Sequence, residues 1–498
     1  MKMKIKMNLQ KKIRYLMLFA LLFTGISCND WLELLPPGGL IKEEFWKTKE
    51  DVEAVLMGAY DSFASMDELL FKYGEIRADL VQYDSNLGSD ERNMMQSNIY
   101  PTNYLCDWSQ FYKVINYANE VIHHAPLVQK IDDTFTPYQV ESMMAEAYFL
   151  RSLAYFYLVR IFRDVPFITG PTLSDGTDFY VPKTDGDEIL RILLEELKTH
   201  RSSATTDGYA TLAELKGRAT KAAYDALIAD IALWLFDYNT CIEYADNIIG
   251  NKDYTLMPST KWFEIFYPGN SLEGIFEFQF DDDLNQRNSM YGLTQRYAYL
   301  YDPSPKALEM FAADYAAREL YRGENSSIKK YGTDDYIIWK YVGRAPDGYS
   351  IRSGSEQNSC NWIVYRYAEV LLMKAEALSQ LERFDEAHEL LTKIRDRADV
   401  SAISIANSKI AYEDAILEER ALELAFEGKR WFDLLRMGRR DNYARKAALV
   451  EIIIKNVPST QKRILATKLT NPLGWYMPIA ESEIERNREL VQNPFYNY

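Results

Sequence analysis

The chain has 498 residues, of which 57 are Lys or Arg and 73 are Asp or Glu, so its formal net charge is −16. Hydrophobic residues make up 47% and charged residues 26%, which are ordinary globular values and exclude wholesale disorder and collagen-like structure. Because the chain is acidic and its body carries no local basic patch, we expect no nucleic-acid binding. Aromatic residues reach 14%, with 36 Tyr, a side chain that offers a flat apolar face and a hydroxyl both to ligands and to cores.

The first 27 residues predict a targeting segment. Basic residues up to Arg14 precede an apolar stretch, Tyr15 to Phe23, which is too short to span a bilayer of about 30 Å. This order is typical of an export signal. Cys28 directly follows Gly-Ile-Ser and looks like the acylated Cys of a lipobox, so we expect residues 1–27 to be removed and Cys28 to carry a lipid anchor. An ordinary secretory signal with an incidental Cys is the alternative.

Helical periodicity dominates the rest of the chain. Apolar residues recur at helical spacing near residues 51–65, 105–124, 138–162, 186–199, 218–236, 240–249, 362–381, 384–397 and 411–426. Two segments, 274–280 and 336–341, have the alternating or continuous apolar pattern of short strands. The sequence therefore predicts a mainly α fold.

Two distant stretches share the pattern of a tetratricopeptide hairpin. In 232–248 and in 377–394 a helix ends, the chain turns, and a new helix starts with an aromatic residue followed three positions later by a small one. These pairs are Tyr238 with Cys241 and Phe384 with Ala387. The small residue lets two helices approach closely, which predicts paired helices of the tetratricopeptide type.

A long insertion separates the two hairpins. Residues 251–361 are rich in Tyr, Gly, Asn, Asp and Ser and show weak helical periodicity. A segment this long inside a compact chain is more often functional than idle. We therefore expect a single interwoven globular unit in which a loop-rich insertion interrupts the helical hairpins.

Catalytic and metal-binding motifs are absent from the sequence. It contains no G-x-S-x-G, H-E-x-x-H, C-x-x-C or P-loop, and we expect no catalytic residues, metal ligands or cofactors. Asp281-Asp282-Asp283 lacks the Gly of a calcium-binding EF-hand loop. Besides Cys28, the chain has Cys106, Cys241 and Cys360, which we interpret as small buried hydrophobic residues.

The acidic residues Glu419, Glu423 and Glu427 could be mistaken for the carboxylates of a glycosidase. Arg and Lys residues lie close to them in sequence, among them Arg430. We therefore expect these carboxylates to make ion pairs that hold a helix and the turn after it. The same interpretation applies to Arg366 and Glu369, at the predicted start of the 362–381 helix.

Five ordered blocks carry a resemblance to a known family. They are residues 28–60, 145–166 (AEAYFLRSLAYFYLVRIFRDVP), 361–378 (NWIVYRYAEVLLMKAEAL), 416–438 (ILEERALELAFEGKRWFDLLRMG) and 476–496 (YMPIAESEIERNRELVQNPFY). In this series the chain resembles the SusD/RagB family of outer-membrane nutrient-binding lipoproteins over its whole mature length.

The resemblance implies both a fold and a partner. It implies a tetratricopeptide-based α fold, with an N-terminal region at 28–250 and a C-terminal region at 251–498. It also implies a lipid-anchored position at the outer membrane and a SusC-like TonB-dependent transporter over which the protein acts as a lid. The usual cargo is a glycan, less often a peptide.

Sugar recognition needs flat aromatic faces flanked by side chains that hydrogen-bond hydroxyl groups, and two loop regions offer that mixture. Region 83–104 supplies Tyr83, Asn86, Arg92 and Tyr100. Region 285–301 supplies Tyr291, Arg296, Tyr297 and Tyr299, and Arg352 is a further candidate. The alternative is that these rings pack the loops onto the helices.

The sequence therefore leaves three functions open. The first is a surface lipoprotein that binds an oligosaccharide and delivers it to the transporter without changing it. The second is a surface glycoside hydrolase. The third is a tetratricopeptide adaptor that holds a protein partner and binds no small ligand.

Overall fold

Helices form most of the chain, and many begin where a side chain caps the first turn. In a computed structural model, Thr48 accepts a hydrogen bond from the Asp51 amide, and the Asp51 carboxylate accepts one from the Thr48 amide at 2.8 Å. Thr136 and Gln139 form the same reciprocal capping box, with Pro137 in the first turn. The structure describes residues 45–83, 86–172, 180–206, 208–294, 300–314, 322–333, 335–341, 359–455, 457 and 459–496.

The helices are numbered in chain order over these described residues. Those before the insertion are α1 Lys49–Ala64, α2 Asp67–Glu75, α3 Ser89–Met95, α4 Ser109–Val128, α5 Pro137–Phe162, α6 Gly186–His200, α7 Leu212–Gly217, α8 Lys221–Trp234 and α9 Tyr238–Ile249. Those within and after it are α10 Met290–Thr294, α11 Pro305–Asp314, α12 Tyr367–Gln380, α13 Phe384–Arg397, α14 Lys409–Glu423, α15 Arg430–Tyr443, α16 Lys446–Lys455, α17 Ser459–Leu469 and α18 Glu481–Arg486. Short 3-10 turns lie at Tyr104–Cys106, Arg201–Ser203, Ser259–Ile265, Pro472–Trp475 and Pro494–Tyr496.

Strands are few and short. They are β1 Val81–Tyr83, β2 Val165–Pro166, β3 Lys183–Thr184, β4 Gly274–Phe278, β5 Tyr301–Pro303, β6 Ile328–Tyr331, β7 Asp335–Ile338 and β8 Trp362–Arg366. Over the described residues they form antiparallel pairs, β1 with β5, β2 with β3, β4 with β8 and β6 with β7. The mainly α fold is confirmed, and the two predicted strands correspond to β4 and β7.

The predicted helical hairpins are confirmed. Helix α8 packs on α9, α12 packs on α13, and α9 packs on α12, so the two hairpins are neighbours although the insertion separates them in sequence. Cys241 and Ala387 are fully buried. The Cys241 thiol lies 3.8 Å from the carbonyl oxygen of Met373 on α12, as expected for a small residue at a close helix contact. On the N-terminal side, α1, α4, α5 and α6 pack in succession.

Two boundary predictions are wrong. Residues 362–366 form strand β8 and not the start of a helix, because their aromatic and β-branched side chains pair with β4; helix α12 begins at Tyr367. The second is the end of the helix predicted near 411–426, because α14 ends at Glu423 and α15 starts at Arg430. The turn between them contains Gly428 at φ +71°, a backbone conformation that favours glycine.

That turn lies against the end of α2. A Cβ atom added to Gly74 would lie 1.9 Å from the Gly428 carbonyl oxygen, so only glycine permits the observed approach. The amides of Gly428 and Lys429 donate to the Glu75 carboxylate at 2.9 and 3.2 Å. These contacts join the first part of the chain to the last.

Buried ion pairs surround the turn, as the sequence predicts for Glu419, Glu423 and Glu427. Fully buried Arg366 donates to both carboxylate oxygens of Glu427 at 2.8 Å, to Glu423 at 2.8 Å and to Glu273 at 3.0 Å. Burial alone would raise the pKa of Glu427, but Arg366 and Lys340 outweigh it and hold that pKa below its usual range. The carboxylates are inaccessible to a substrate and act as scaffold.

The described cysteines match their interpretation. Cys106, Cys241 and Cys360 are buried, and among the described residues they form no disulfide bond. Burial raises the pKa of the Cys106 and Cys241 thiols, which keeps them protonated and unreactive.

Residues 48–498 form one compact unit, and residues 1–47 are a separate one. Of the latter, the structure describes 45–47, where the rings of Phe45 and Trp46 meet edge to face with centroids 5.2 Å apart. Within the described part of the chain, no helix has the length and apolar character needed to cross a bilayer.

Candidate functional site: a tyrosine-rich loop surface

Strands β1 and β5 bring the two predicted ligand regions together. Tyr83, which begins the first region, pairs with Tyr301, which ends the second. The Ser304 amide extends the ladder by donating to the Leu80 carbonyl at 2.8 Å. Tyr301 itself is fully buried, with its ring 5.6 Å from that of Phe71 on α2. Two loops that are far apart in sequence thus share one small sheet on α2.

Exposed aromatic rings concentrate beside this sheet. Among the described residues, five aromatic side chains are classed as exposed, and all are Tyr: Tyr83, Tyr100, Tyr104, Tyr138 and Tyr180. The first three lie within region 83–104, at 38%, 55% and 45% exposure. Rings left open to solvent can stack on a ligand, whereas a ring that only packs a loop is covered. We call Tyr83, Tyr100 and Tyr104 the tyrosine surface.

Hydrogen bonds fix the position of Tyr104. Its amide donates to the Asp90 carboxylate at 3.1 Å, and the Asn103 side chain donates to the Asp90 carbonyl at 2.9 Å. The Asn103 side chain also caps the 3-10 turn by accepting from the Leu105 amide at 2.9 Å. Helix α3 and the Tyr104 turn are therefore one bonded element.

The Tyr104 hydroxyl belongs to a charged cluster. It donates to Glu91 at 2.6 Å and accepts from Lys72 at 2.7 Å, while Lys72 also donates to Glu91 at 3.0 Å. Burial opposes ionisation of Glu91, but the hydrogen bonds from Tyr104 and Lys72 outweigh it and lower its pKa. Burial, and then Glu91, raises the pKa of Tyr104, so its hydroxyl stays protonated. The cluster presents a fixed ring and stable charges.

Helix α10 is anchored beside the same sheet. The amide of Ser289, the residue before α10, donates to the Asp67 carboxylate at 2.6 Å, and the Ser289 hydroxyl lies 3.2 Å from its other oxygen. Burial raises the pKa of Asp67 to about 6. Tyr291, on this helix, is half-buried. Asp67 is 2% exposed, and both of its carboxyl oxygens bond to Ser289, so it holds the start of α10 in place.

The predicted ligand residues fall into two groups. Asn86 and Arg92 are exposed near the tyrosine surface, on the same short segment as Tyr83 and Tyr100. Cys28, Arg296, Tyr297, Tyr299 and Arg352 lie outside the described residues.

The start of the second region lies elsewhere. Asn285 and Arg287 line a groove of about 770 Å³ together with Met57 and Tyr60 of α1 and Phe278 of β4. The described residues of region 285–301 therefore divide between this groove and the β1–β5 sheet.

Sequence reasoning missed the residues that support the tyrosine surface. Lys72 lies on α2, and Glu91 was passed over among the polar residues of its region, because their roles depend on contacts between separate elements. No local pattern in the sequence indicates that Lys72 meets Tyr104. The sequence indicates only that Lys72 lies four residues after Glu68, a spacing typical of an ion pair along a helix, which assigns it no role toward Tyr104.

The architecture is that of a helical-hairpin scaffold that carries an aromatic loop surface. Two family models together match nearly the whole chain: the SusD family over residues 234–496, and a SusD-like family described as starch-binding and associating with the outer membrane over residues 30–233. The chain belongs to the SusD family.

Individual relatives agree with this membership. SusD-like protein P38 of Formosa agariphila is 28% identical over 461 residues, covering 82% of this chain and 88% of that protein. A SusD superfamily protein of Bacteroides thetaiotaomicron matches with a TM-score of 0.73 at 22% identity, covering 91% of this chain and 99% of that one. Surface glycan-binding protein A of the same organism, in complex with laminarihexaose, matches with a TM-score of 0.70 at 21% identity, covering 90% and 100%.

Proposed function

We propose that this protein binds an oligosaccharide at the tyrosine surface and hands it to a SusC-like TonB-dependent transporter. The observation that carries the proposal is the exposure of the Tyr83, Tyr100 and Tyr104 rings in one loop region, which strand β1 joins to β5. A related protein of the same fold is in complex with a glucose oligosaccharide, laminarihexaose. Lipid anchoring through Cys28 at the outer membrane would keep the protein beside the transporter.

Binding without cleavage fits the carboxylates near the surface. A glycosidase needs one carboxyl that stays protonated and one that stays ionised, both open to the substrate. Asp67 has the raised pKa of an acid, but it is buried and bonded to Ser289. Glu91 is held ionised by Lys72 and Tyr104. These groups therefore support a role in positioning the loops.

Calorimetry with laminarihexaose, followed by a panel of other oligosaccharides, tests the proposal. An open surface with a few stacked rings should bind with a dissociation constant of about 10 µM to 1 mM. The double substitution Tyr83→Ala and Tyr100→Ala should weaken binding at least about tenfold, which is roughly 1.4 kcal/mol. Tyr138→Ala is the matched control, because Tyr138 is an exposed tyrosine at the start of α5 and outside the surface.

Three outcomes would contradict the proposal. Unchanged affinity in the folded double variant would mean that the ligand binds elsewhere, and the segment with Tyr291, Tyr297 and Tyr299 would be tested next. Cleavage of the bound oligosaccharide, seen by chromatography of the incubated sugar, would favour the hydrolase. Failure to retain any sugar on a glycan array would favour the adaptor.

A further inference from the structure

A second cavity lies away from the tyrosine surface. Its volume is about 470 Å³, within the range of about 300–1,000 Å³ that small-molecule sites occupy. Its walls come from α7, the first turn of α8, the end of α9 and the loop residues 251–254 and 270–272. None of the sugar-binding residues predicted from the sequence lines it.

Lys216 on α7 is the most unusual residue of this wall. Its side chain lies in the cavity lining although the residue is only 3% exposed. Among the described residues, its ammonium group makes no hydrogen bond and no ion pair within 4.0 Å; its close contact is the ring of Tyr254, with the centroid 4.1 Å away. A buried ammonium group without a hydrogen-bond acceptor from the protein is costly, and an anionic ligand in the cavity would supply one.

The N-terminus of α8 faces the same cavity. Helix α8 has 14 residues, and its first residues Lys221 and Ala222 line the wall. The Lys221 amide donates to the Thr205 carbonyl at 2.9 Å and the Ala223 amide to the Thr220 hydroxyl at 3.4 Å. The Ala222 amide lies between these two amides in the first turn of α8. In that turn no backbone carbonyl of the helix can accept its hydrogen bond. The positive end of the helix dipole and this amide favour an anion.

The charges around the cavity favour an anion as well. Lys216, Lys221, Lys252 and Arg201 line it, against the carboxylates of Asp225 and Asp253, and Glu277 also faces Lys216. Asp225 is already engaged, because Arg201 makes a two-pronged ion pair with it. Lys216 and its neighbours thus form a locally positive site in a chain whose net charge is −16.

We propose that this cavity binds a small oxyanion group, namely the sulfate ester or the carboxylate of an acidic sugar. The Lys216 ammonium and the first turn of α8 would hold the anionic oxygens, and Asn251 and Tyr254 would border the sugar. The proposal does not rest on the tyrosine surface, since the two sites share no residue. Binding at both sites would let the protein retain an acidic polysaccharide at two points.

Calorimetry with glucose 6-sulfate, glucuronate, inorganic sulfate and glucose tests the site. We expect binding of one or more of the three anions and none of glucose, and the arms separate a sugar-borne sulfate from a carboxylate and from a free ion. Lys216→Met should weaken anion binding at least about tenfold while the melting temperature stays equal or rises, because a buried charge is removed. Lys393→Met, which removes an exposed lysine of α13, is the control for net charge.

A second measurement tests the contact itself. Burial lowers the pKa of Lys216 to about 8, and the facing groups Glu277 and Asp253 act against that shift. A bound oxyanion should raise the pKa, seen by nuclear magnetic resonance of the labelled lysine ammonium group with and without the best-binding anion. An unchanged Lys216 pKa, equal loss in Lys393→Met, or no binding of any anion would overturn the proposal. None of these results bears on neutral-sugar binding at Tyr83 and Tyr100, which Lys216→Met should leave unchanged.

Discussion

Glu75 shows how burial sets the chemistry of a single residue. It is fully buried at the end of α2, and one oxygen accepts the Gly428 and Lys429 amides, while the other has no hydrogen-bond partner within the described part of the chain. Burial raises the pKa of Glu75 from 4.5 to about 8, against the opposing effect of the two amides and of Lys340 and Arg430. The carboxyl is therefore largely neutral at pH 7 in the folded protein.

This shift makes a prediction for stability against pH. The folded state holds the Glu75 proton more tightly than the unfolded state does. The contribution of Glu75 to the free energy of unfolding therefore falls as pH rises from about 4.5 to about 8, and it is level above that range. Glu75→Gln keeps an amide acceptor and removes the titration. The free energy of unfolding of the wild type relative to Glu75→Gln should drop by up to roughly 4 kcal/mol between pH 5 and pH 8. Urea unfolding at several pH values measures this, and parallel profiles for the two proteins would contradict it.

Arg366 gives a second prediction at the scale of a residue. Arg366→Leu removes a positive charge that balances the buried carboxylates of Glu273, Glu423 and Glu427. We therefore expect a loss of about 3–5 kcal/mol in the free energy of unfolding. The loss should shrink as pH falls, since the carboxylates can then take up protons. Arg383→Leu removes an exposed arginine paired with Glu386 and should change little. Equal losses in the two variants, by chemical denaturation, would show that the buried cluster has no special role.

At the scale of elements, the contact between helices α12 and α13 depends on a small side chain. Ala387 is fully buried on α13, which packs on α12. Ala387→Leu adds volume to this contact and should cost roughly 1–3 kcal/mol. Ala447→Leu makes the same change at an exposed position of α16 and serves as the control. An unchanged melting temperature in Ala387→Leu would mean that the hairpin tolerates a wider spacing.

The elements also show what a sequence pattern can and cannot predict. Apolar periodicity locates long helices such as α5 within a residue or two, because each helix buries one face along its whole length. It misassigned Trp362–Arg366, where a continuous apolar run fits a strand or a buried helix equally well. This periodicity did not reveal short helices such as α2 and α10. They are too short to show a repeating apolar face, and contacts between elements, such as Ser289 with Asp67, hold them in place.

The candidate site was predicted only in part, for a similar reason. Composition pointed to Tyr83 and Tyr100, since tyrosines with amides and arginines in a loop suggest sugar binding. The Tyr83–Tyr301 pairing and the Lys72–Tyr104 bond join residues that are far apart in sequence, so no local spacing encodes them. The division of the chain into 28–250 and 251–498 stays a prediction.

At the scale of the whole molecule, the C-terminal segment is hydrogen-bonded to elements of the N-terminal half. The Arg77 guanidinium donates to the carbonyls of Gly474 and Trp475 at 2.7 and 2.5 Å, and the Met477 amide donates to the Ile161 carbonyl at 2.8 Å. The Glu481 amide donates to the Pro101 carbonyl at 3.1 Å, next to Tyr100. The C-terminal segment thus supports the loops of the tyrosine surface directly.

The proposed anchor makes a prediction about the whole protein in the cell. If Cys28 carries the lipid, Cys28→Ala should leave the protein in the soluble periplasmic fraction when the transporter is absent. Cys360→Ala, which replaces a buried cysteine outside the proposed anchor, is the control and should stay with the membrane. Fractionation and immunoblotting measure the distribution, and a Cys28→Ala protein that remains in the outer-membrane fraction would count against lipidation.

The pairing of β4 with β8 has a consequence for how such proteins diversify. These strands enclose residues 279–361, so the insertion leaves and re-enters the scaffold at adjacent points, and β8 leads straight into α12. Lengthening a loop whose ends are already joined costs little, about 0.6 kcal/mol for each doubling of its length. Insertions and deletions in the enclosed segment should therefore be tolerated wherever they spare its contacts with the scaffold, such as Tyr301 on α2 and Lys340 with Glu427.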